Sequence, residues 1–297
     1  MTLGPVGFRI SATGTTGLTW QALDEIWAAA GEEDIFSAGW LSDHLSDVSR
    51  DRGGPAFEAF TTAAALARRV PGKTIGIAVA ASTFRHPAVL AKQATILDIV
   101  TGGRFILGVG AGWHPGEHEA FGVPLPEPRQ RFDRYEAQLR VLKALFSDGA
   151  RRSPGVTLDD PHFPLDQATN EPPPITAGGP PIWLGGQKRR GLDLIARYAS
   201  GWPMYGNRAG DVGFFTEMRD KIRRALEAAN RDLDDFTFAA QVNAGSDSAS
   251  RRAGLEQARA LQKAGADHVI VGISGTSTPD DLRAMAREVA EPLSDQR

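Results

Sequence analysis

Residues 74–112 read TIGIAVAASTFRHPAVLAKQATILDIVTGGRFILGVGAG, and this stretch decides the fold. Thr74 to Ala80 is a short apolar run rich in β-branched residues, the signature of a buried strand. Pro87 to Val100 has helical spacing, with Val89, Leu90, Ile96, Leu97 and Val100 expected on its core face. Gly102-Gly103 then turns the chain into a second apolar run, Arg104 to Val109. Two such strands joined by one helix form a parallel crossover unit.

The same alternation extends in both directions. Toward the N-terminus, Val6 to Ser11 and Ile35 to Leu41 read as strands. Leu18 to Ala30 reads as a helix with Thr19 as N-cap and Gly31 as its stop, and Ala56 to Arg69 as a second helix. Toward the C-terminus, Arg129 to Phe146 is strongly helical, with Phe132, Leu139, Leu142 and either Leu145 or Phe146 on one stripe. Strands are then expected at Ile182 to Leu184, Trp202 to Tyr205, Phe236 to Val242 and His268 to Gly272. Their helices are Arg189 to Tyr198, Val212 to Ala229, Arg251 to Ala264 and Pro279 to Val289. Eight strand–helix pairs predict an α/β chain folded as one (β/α)8 TIM barrel over residues 1–297. A doubly wound open sheet is the alternative. The rhythm breaks only between strands four and five. Ser147 to Pro181 (residues 147–181), rich in Pro, Gly and Asp, reads as an irregular insertion over the barrel mouth.

With 297 residues, 41% hydrophobic and 23% charged, the composition is that of an ordinary globular enzyme. There is no cysteine, which excludes disulfides, thiolate metal sites and cysteine nucleophiles. The net charge of −3 offers no basic field for nucleic acid or an anionic membrane. Met1 to Ala12 lacks the pattern of a secretory signal, and no apolar run is long enough to span a bilayer. A cytoplasmic location is therefore expected.

In a barrel of this kind the chemistry sits at the C-terminal ends of the strands. Strand two ends in Ser42-Asp43-His44. A histidine there can donate to a ring carbonyl or a developing anion, or shuttle a proton near neutral pH, and Asp43 is placed to fix its tautomer. A purely structural histidine is the competing reading. Strand five runs into Gly185-Gly186-Gln187-Lys188-Arg189 and then a helix. This is either a phosphate cradle or a tight turn flanked by solvated cations. Gly108-Val109-Gly110-Ala111-Gly112 echoes a dinucleotide fingerprint, but no helix pattern opens there. Small residues that let a flat ring approach the backbone are the better reading, with plain strand packing as the other. His114 and His118 bracket Glu117 at metal-helix spacing, yet Pro115-Gly116 interrupts the pattern, so no metal is expected. Neither a G-x-S-x-G elbow nor a phosphate-binding P-loop occurs.

Taken in order, these segments resemble the luciferase-like flavin and deazaflavin oxidoreductases, the luciferase-like monooxygenase family. The resemblance rests on Trp40-Leu41-Ser42-Asp43-His44, then Ile75-Gly76-Ile77-Ala78-Val79 with Arg85-His86-Pro87-Ala88. It continues through Leu97-Asp98, the run from Gly102 to Trp113, Glu119, Phe121-Gly122 and Arg131. It closes with Pro180 to Gly186, Ala196 to Ala199 and Gly201-Trp202. The pieces after strand two and around strand four are similar to members that use the deazaflavin coenzyme F420.

The resemblance implies a cofactor ring in the barrel mouth, with a non-proline cis peptide at Ala78-Val79 forming a bulge beneath it. His44, beside Asp43, falls on the ring-side histidine, the expected catalytic residue. Cofactor contacts fall on Gly110, Ala111 and Gly112, and on Gly185, Gly186 and Gln187. It implies hydride transfer between bound F420 and a small organic substrate, in a homodimer whose interface involves the helices after strands two and three. An FMN-dependent monooxygenase and a cofactor-binding protein without turnover are the alternatives. Sugar-phosphate dehydrogenases of this group place a catalytic glutamate where this chain has Trp113. Trp113 is therefore expected to shape the substrate pocket, and His44 to work without a nearby glutamate. Gly14, Thr15, Thr16 and Gly17 form a small polar loop expected to face the substrate.

Overall fold

A computed structural model of the chain describes residues 3–10, 18–48, 56–273 and 277–294. The expected polar loop at Gly14 to Gly17 lies outside the described residues. The parallel strands are β1 (Val6–Ile10), β2 (Ala38–Leu41), β3 (Thr74–Ala81) and β4 (Phe105–Gly110), then β7 (Ile182–Leu184), β8 (Gly201–Pro203), β9 (Thr237–Ala244) and β10 (His268–Ile273). They close in the order β1-β10-β9-β8-β7-β4-β3-β2. β1 pairs with both β2 and β10, so the sheet has no free edge there and the open doubly wound arrangement is excluded. The chain is a (β/α)8 barrel.

The outer layer is α1 (Trp20–Glu32), α2 (Ala59–Leu66), α3 (Pro87–Val100), α5 (Pro128–Phe146), α6 (Arg189–Tyr198), α7 (Val212–Ala228), α8 (Ser248–Lys263) and α9 (Pro279–Met285). A short α4 (Pro115–Ala120) precedes α5. Thr19 caps α1 as expected, its side chain accepting from the Ala22 amide. Gly31 does not stop that helix. It lies within it, where the missing Cβ lets the Arg69 carbonyl close in. The core face of α3 also differs from expectation: Leu90, Ala91, Ala94 and Leu97 are buried, whereas Val89, Ile96 and Val100 are 52%, 44% and 48% exposed. Alanines permit the close approach, so the large residues stay outside.

Side chains alternate across each strand. Phe8, Ile75, Leu107 and Val242 belong to the large cluster under the helices, while Trp40, Trp183, Ile106 and Ile270 pack together inside the barrel. Trp40 and Trp183 stack at 4.9 Å. Space for the two indoles comes from Gly76 and Gly201, where a Cβ would collide with their rings. The Trp40 indole donates to His268 Nε2 at 3.0 Å. His268 Nδ1 donates in turn to the Gly4 carbonyl at 2.7 Å. The lower barrel is thus a closed plug.

The insertion is not a cover over the mouth. It forms a two-stranded hairpin, β5 (Val156–Leu158) and β6 (Leu165–Ala168), and runs along the barrel's flank. Asn170 bonds Thr95 on α3 at 2.9 Å, Thr176 bonds Asp98 on α3 at 2.7 Å, and Asp160 pairs with Arg140 on α5. These contacts tie it to the outer helices. Only Phe163, under the Arg134 guanidinium at 4.7 Å, reaches the rim.

Candidate active site

β2 ends in Asp43 and His44, and their side chains go to different neighbours. Asp43 is held by Arg85, from the loop after β3, through two bonds of 2.6 and 2.8 Å, and it accepts from the Ala81 amide at 3.0 Å. Arg85 also reaches Glu58 and lies 4.6 Å above the Phe60 ring. Burial acts to lower the Arg85 pKa, but Asp43 and then Glu58 outweigh it and keep the value above that of a free arginine. Asp43 therefore does not orient His44, contrary to the sequence reading.

A glutamate does. His44 Nδ1 lies 3.1 Å from Glu117 Oε2. The other oxygen, Oε1, accepts the Leu45 amide at 2.5 Å and the Ser46 amide at 3.2 Å. Burial works to raise the Glu117 pKa. The His44 contact, followed by those two amides, more than offsets it and holds the carboxyl below its ordinary value. An ionised Glu117 can only accept, so Nδ1 carries the proton and Nε2 is the atom left for a ligand. Among the described residues Nε2 has no partner. His44 also borders a cavity of about 40 Å³ shared with Ser42, Ser46 and Thr62.

Glu117 is the residue the sequence reading missed, and it corrects the expectation that His44 works without a nearby glutamate. Its signal was present. Pro115, read as a breaker, is a favoured first residue of a helix, and it starts α4. His114 caps that helix, accepting the Glu117 amide on Nδ1 at 2.9 Å, so Glu117 lands in the first turn facing β2. His118 points elsewhere. Its Nδ1 donates to the His114 carbonyl at 2.7 Å and its Nε2 meets the Thr83 hydroxyl at 2.7 Å. The two histidines do not converge on one point, and among the described residues no cluster of three metal-ligating side chains forms.

The peptide between Ala78 and Val79 is cis, as the resemblance implied. The β3–β4 register shifts between Ile77 and Ala80, so Ala78-Val79 bulges toward the mouth. A Cβ at Gly108 or Gly110 would fall 2.9 Å from a Val79 methyl. Those glycines therefore make room for Val79 rather than directly for a ring, and Val79 becomes the half-exposed ledge at that wall. Ala111 follows, half-buried. Gly112 takes φ +81°, a conformation that favours glycine, and packs on Thr83. Trp113, 62% exposed, stands on the rim with its ring edge-on to His44 at 6.4 Å.

At the turn after β7, the Gly185 amide is used by the sheet, donating to the Val109 carbonyl at 3.1 Å. The Gly186 amide and the Gln187 side chain meet the Tyr205 phenol, which burial pushes up to about 12. Lys188 and Arg189 are exposed and have no carboxylate partner among the described residues. A cleft of about 550 Å³ opens beside the β3 loop, between Thr83, Phe84, Pro126, Arg131, Arg134 and Phe163.

The sequence profile of the luciferase-like monooxygenases matches residues 6–261. The chain belongs to the luciferase-like monooxygenase family. Among relatives in this family, a phthiodiolone/phenolphthiodiolone dimycocerosates ketoreductase from Mycobacterium bovis is 32% identical over 186 residues, 62% of this chain and 46% of that protein. An F420-dependent glucose-6-phosphate dehydrogenase from Amycolatopsis mediterranei is 28% identical over 219 residues, 70% of this chain and 60% of that protein. The chain thus spans about half the length of the curated relatives it matches. Among solved structures, an F420-dependent secondary alcohol dehydrogenase superposes with a TM-score of 0.75 at 16% identity, covering 99% of each chain. The monooxygenase RslO1 from Streptomyces bottropensis superposes with a TM-score of 0.76 at 18% identity, over 96% of this chain and 98% of its own. These superpositions show the shared barrel fold.

Proposed function

We propose that the chain is an oxidoreductase that uses the deazaflavin coenzyme F420 to reduce or oxidise a small organic substrate in the barrel mouth. The observation that carries this reading is the His44–Glu117 pair, set at the same end of the barrel as the Ala78-Val79 ledge. The relative named for F420-dependent dehydrogenation supports the choice of cofactor.

The residues present fit such a group. Gly108 and Gly110 let the Val79 side chain seat against β4, which sets the position of the ledge. With the Gly186 amide and Gln187 side chain on Tyr205, it is the exposed Lys188 and Arg189 at this turn that suit a phosphate-bearing tail. Asp43 contributes by holding the β3 loop through Arg85. When bound, the deazaflavin supplies a hydride donor or acceptor at its C5.

His44 does the proton work. With Nδ1–H on Glu117, the neutral ring presents Nε2 as an acceptor for a hydroxyl proton, and the imidazolium presents it as a donor to a carbonyl oxygen. Glu117 fixes the tautomer and stabilises the imidazolium, as the aspartate does in a serine-protease triad. Trp113 stands beside His44 on the rim, edge-on at 6.4 Å, where a substrate would meet both. A homodimer is part of the same reading, formed through α2 and α3, whose outer face carries Val89, Ile96 and Val100.

Titration of the purified protein with F420 and with FMN, followed by fluorescence, tests the assignment. Saturable F420 binding is expected, with FMN weaker by about tenfold or more, at least 1.4 kcal/mol. Tight FMN binding without F420 affinity would overturn it in favour of an FMN-dependent monooxygenase. Failure of bound F420 to exchange hydride with any alcohol, aldehyde, ketone or imine would reduce the chain to a cofactor carrier.

A further inference from the structure

Arg9 stands on β1, two residues beyond Gly7. A Cβ on Gly7 would lie 2.6 Å from His268 and 2.7 Å from the Trp40 indole nitrogen, so both positions face the barrel interior. Arg9 is 7% exposed. No carboxylate pairs with it among the described residues, and its Nε is buried without a hydrogen-bond partner. Residues 11–17, SATGTTG, and 274–276, SGT, continue from β1 and β10 and contain no acidic residue. The contrast with Arg85 is direct: that arginine, also buried, holds two carboxylates. Burial alone brings the Arg9 guanidinium down to about 10, so it is still a cation at neutral pH.

Gln241, on β9, completes the site. Its Nε2 donates to the Met204 carbonyl at 2.5 Å, which fixes the amide orientation and leaves Oε1 buried without a partner. The two groups converge beside Gly206. A Cβ there would lie 3.1 Å from Arg9 Nη1, 3.4 Å from Nη2 and 3.5 Å from Gln241 Oε1. At Gly272 a Cβ would lie 3.6 Å from Nη2. The same Gly272 Cβ would lie 2.8 Å from Asn243 Oδ1, so glycine backbone and the Asn243 amide border the guanidinium edge. A buried cation without a counter-ion destabilises a free protein. Its partner is then expected to arrive with a ligand.

We infer that Arg9 and Gln241 form a binding subsite for an oxygen bearing negative charge, or a polarised carbonyl, adjacent to an N–H or O–H donor. The guanidinium edge takes the oxygen and Gln241 Oε1 takes the donor. Two ligands carry that chemistry: a carboxylic or hydroxy-acid substrate, and the imide edge of a flavin-like ring.

The test uses Arg9→Met, which matches the four-atom stem and removes the charged guanidinium head. Cofactor-free wild type is expected to gain thermal stability when acetate replaces chloride at constant ionic strength, and Arg9→Met to show no such gain. The free variant is also expected to unfold no lower than wild type, because it loses an unpaired buried charge. A purely structural arginine predicts a lower midpoint. The F420 dissociation constant then distinguishes the sources. A rise of about tenfold or more in the variant assigns the oxygen to the ring; an unchanged value with a lost acetate response assigns it to the substrate. A wild type indifferent to acetate, together with a variant that binds F420 as tightly as wild type, overturns the inference. If Arg9→Met does not fold, Arg9→Gln, which removes the charge but keeps a polar amide, is read by the same two titrations with the same criteria. The acetate arm needs no cofactor, so its failure is separate from a failure of the F420 assignment.

Discussion

The lower barrel interior and the mouth are built from similar residues and treat them differently. His268, in the lower interior, uses both ring nitrogens, one on the Gly4 carbonyl and one on the Trp40 indole. His44, at the mouth, uses one, on Glu117. Below, two tryptophans stack and glycines are filled by neighbouring rings. Above, Arg9 and Gln241 have polar atoms with nothing against them among the described residues. An unmade hydrogen bond in a buried place is costly, so its position carries information. With both nitrogens paired, His268 holds the barrel; the open atoms of Arg9 and Gln241 are the ones proposed above to meet a ligand.

The sharpest way to break this division is His44→Ala. Turnover is expected to fall by about 10²–10⁴-fold, with the F420 dissociation constant little changed. Steady-state rates alongside a binding titration check it, and normal turnover would remove His44 from the chemistry. Trp40→Ala is the counterpart below. It should cost stability, about 3–5 kcal/mol by urea unfolding, while any residual folded protein still binds cofactor.

Glu117→Gln sharpens the division from the mouth side. Exchanging an acceptor for a donor against Nδ1 favours the wrong tautomer, and turnover should drop by at least about tenfold. Stability should respond as well. Because the folded pKa of Glu117 is depressed, its contribution is complete above the ordinary carboxylate value of 4.5 and is lost as pH falls through the lower folded value. Urea midpoints measured from neutral to acidic pH should therefore decline less steeply in the variant. The smallest expected effect is at Val89→Lys on the outer face of α3. The change should alter stability by no more than about 0.5 kcal/mol in a monomer, but sedimentation should show loss of a dimer that uses this face.

Most of the fold is legible because strand and helix periods alternate on both sides of the break at residues 147–181. The α3 face was misread because large aliphatic residues were taken as core, whereas the sheet accepts the alanine side. α4 was missed because Pro115 ends some helices and begins others. At the site, strand ends exposed Asp43 and His44 to view, but their partners are 42 and 73 residues away in the chain. Only the folded barrel brings them together. Arg9 had no sequence signal at all. On a strand buried on both faces, an inward arginine reads like any other position until its surroundings are known.

Six residues, Pro115–Ala120, with the capping His114 before them, join two parts of the rim. Through His118 they grip Thr83 after β3, through Glu117 they grip His44 after β2, and His114 is the hinge pin between them. An insertion or deletion here would disturb proton transfer and loop position together. New substrate ranges should thus be easier to engineer, or to evolve, through rim segments outside this clasp, leaving the clasp itself as the least negotiable part of the enzyme's architecture.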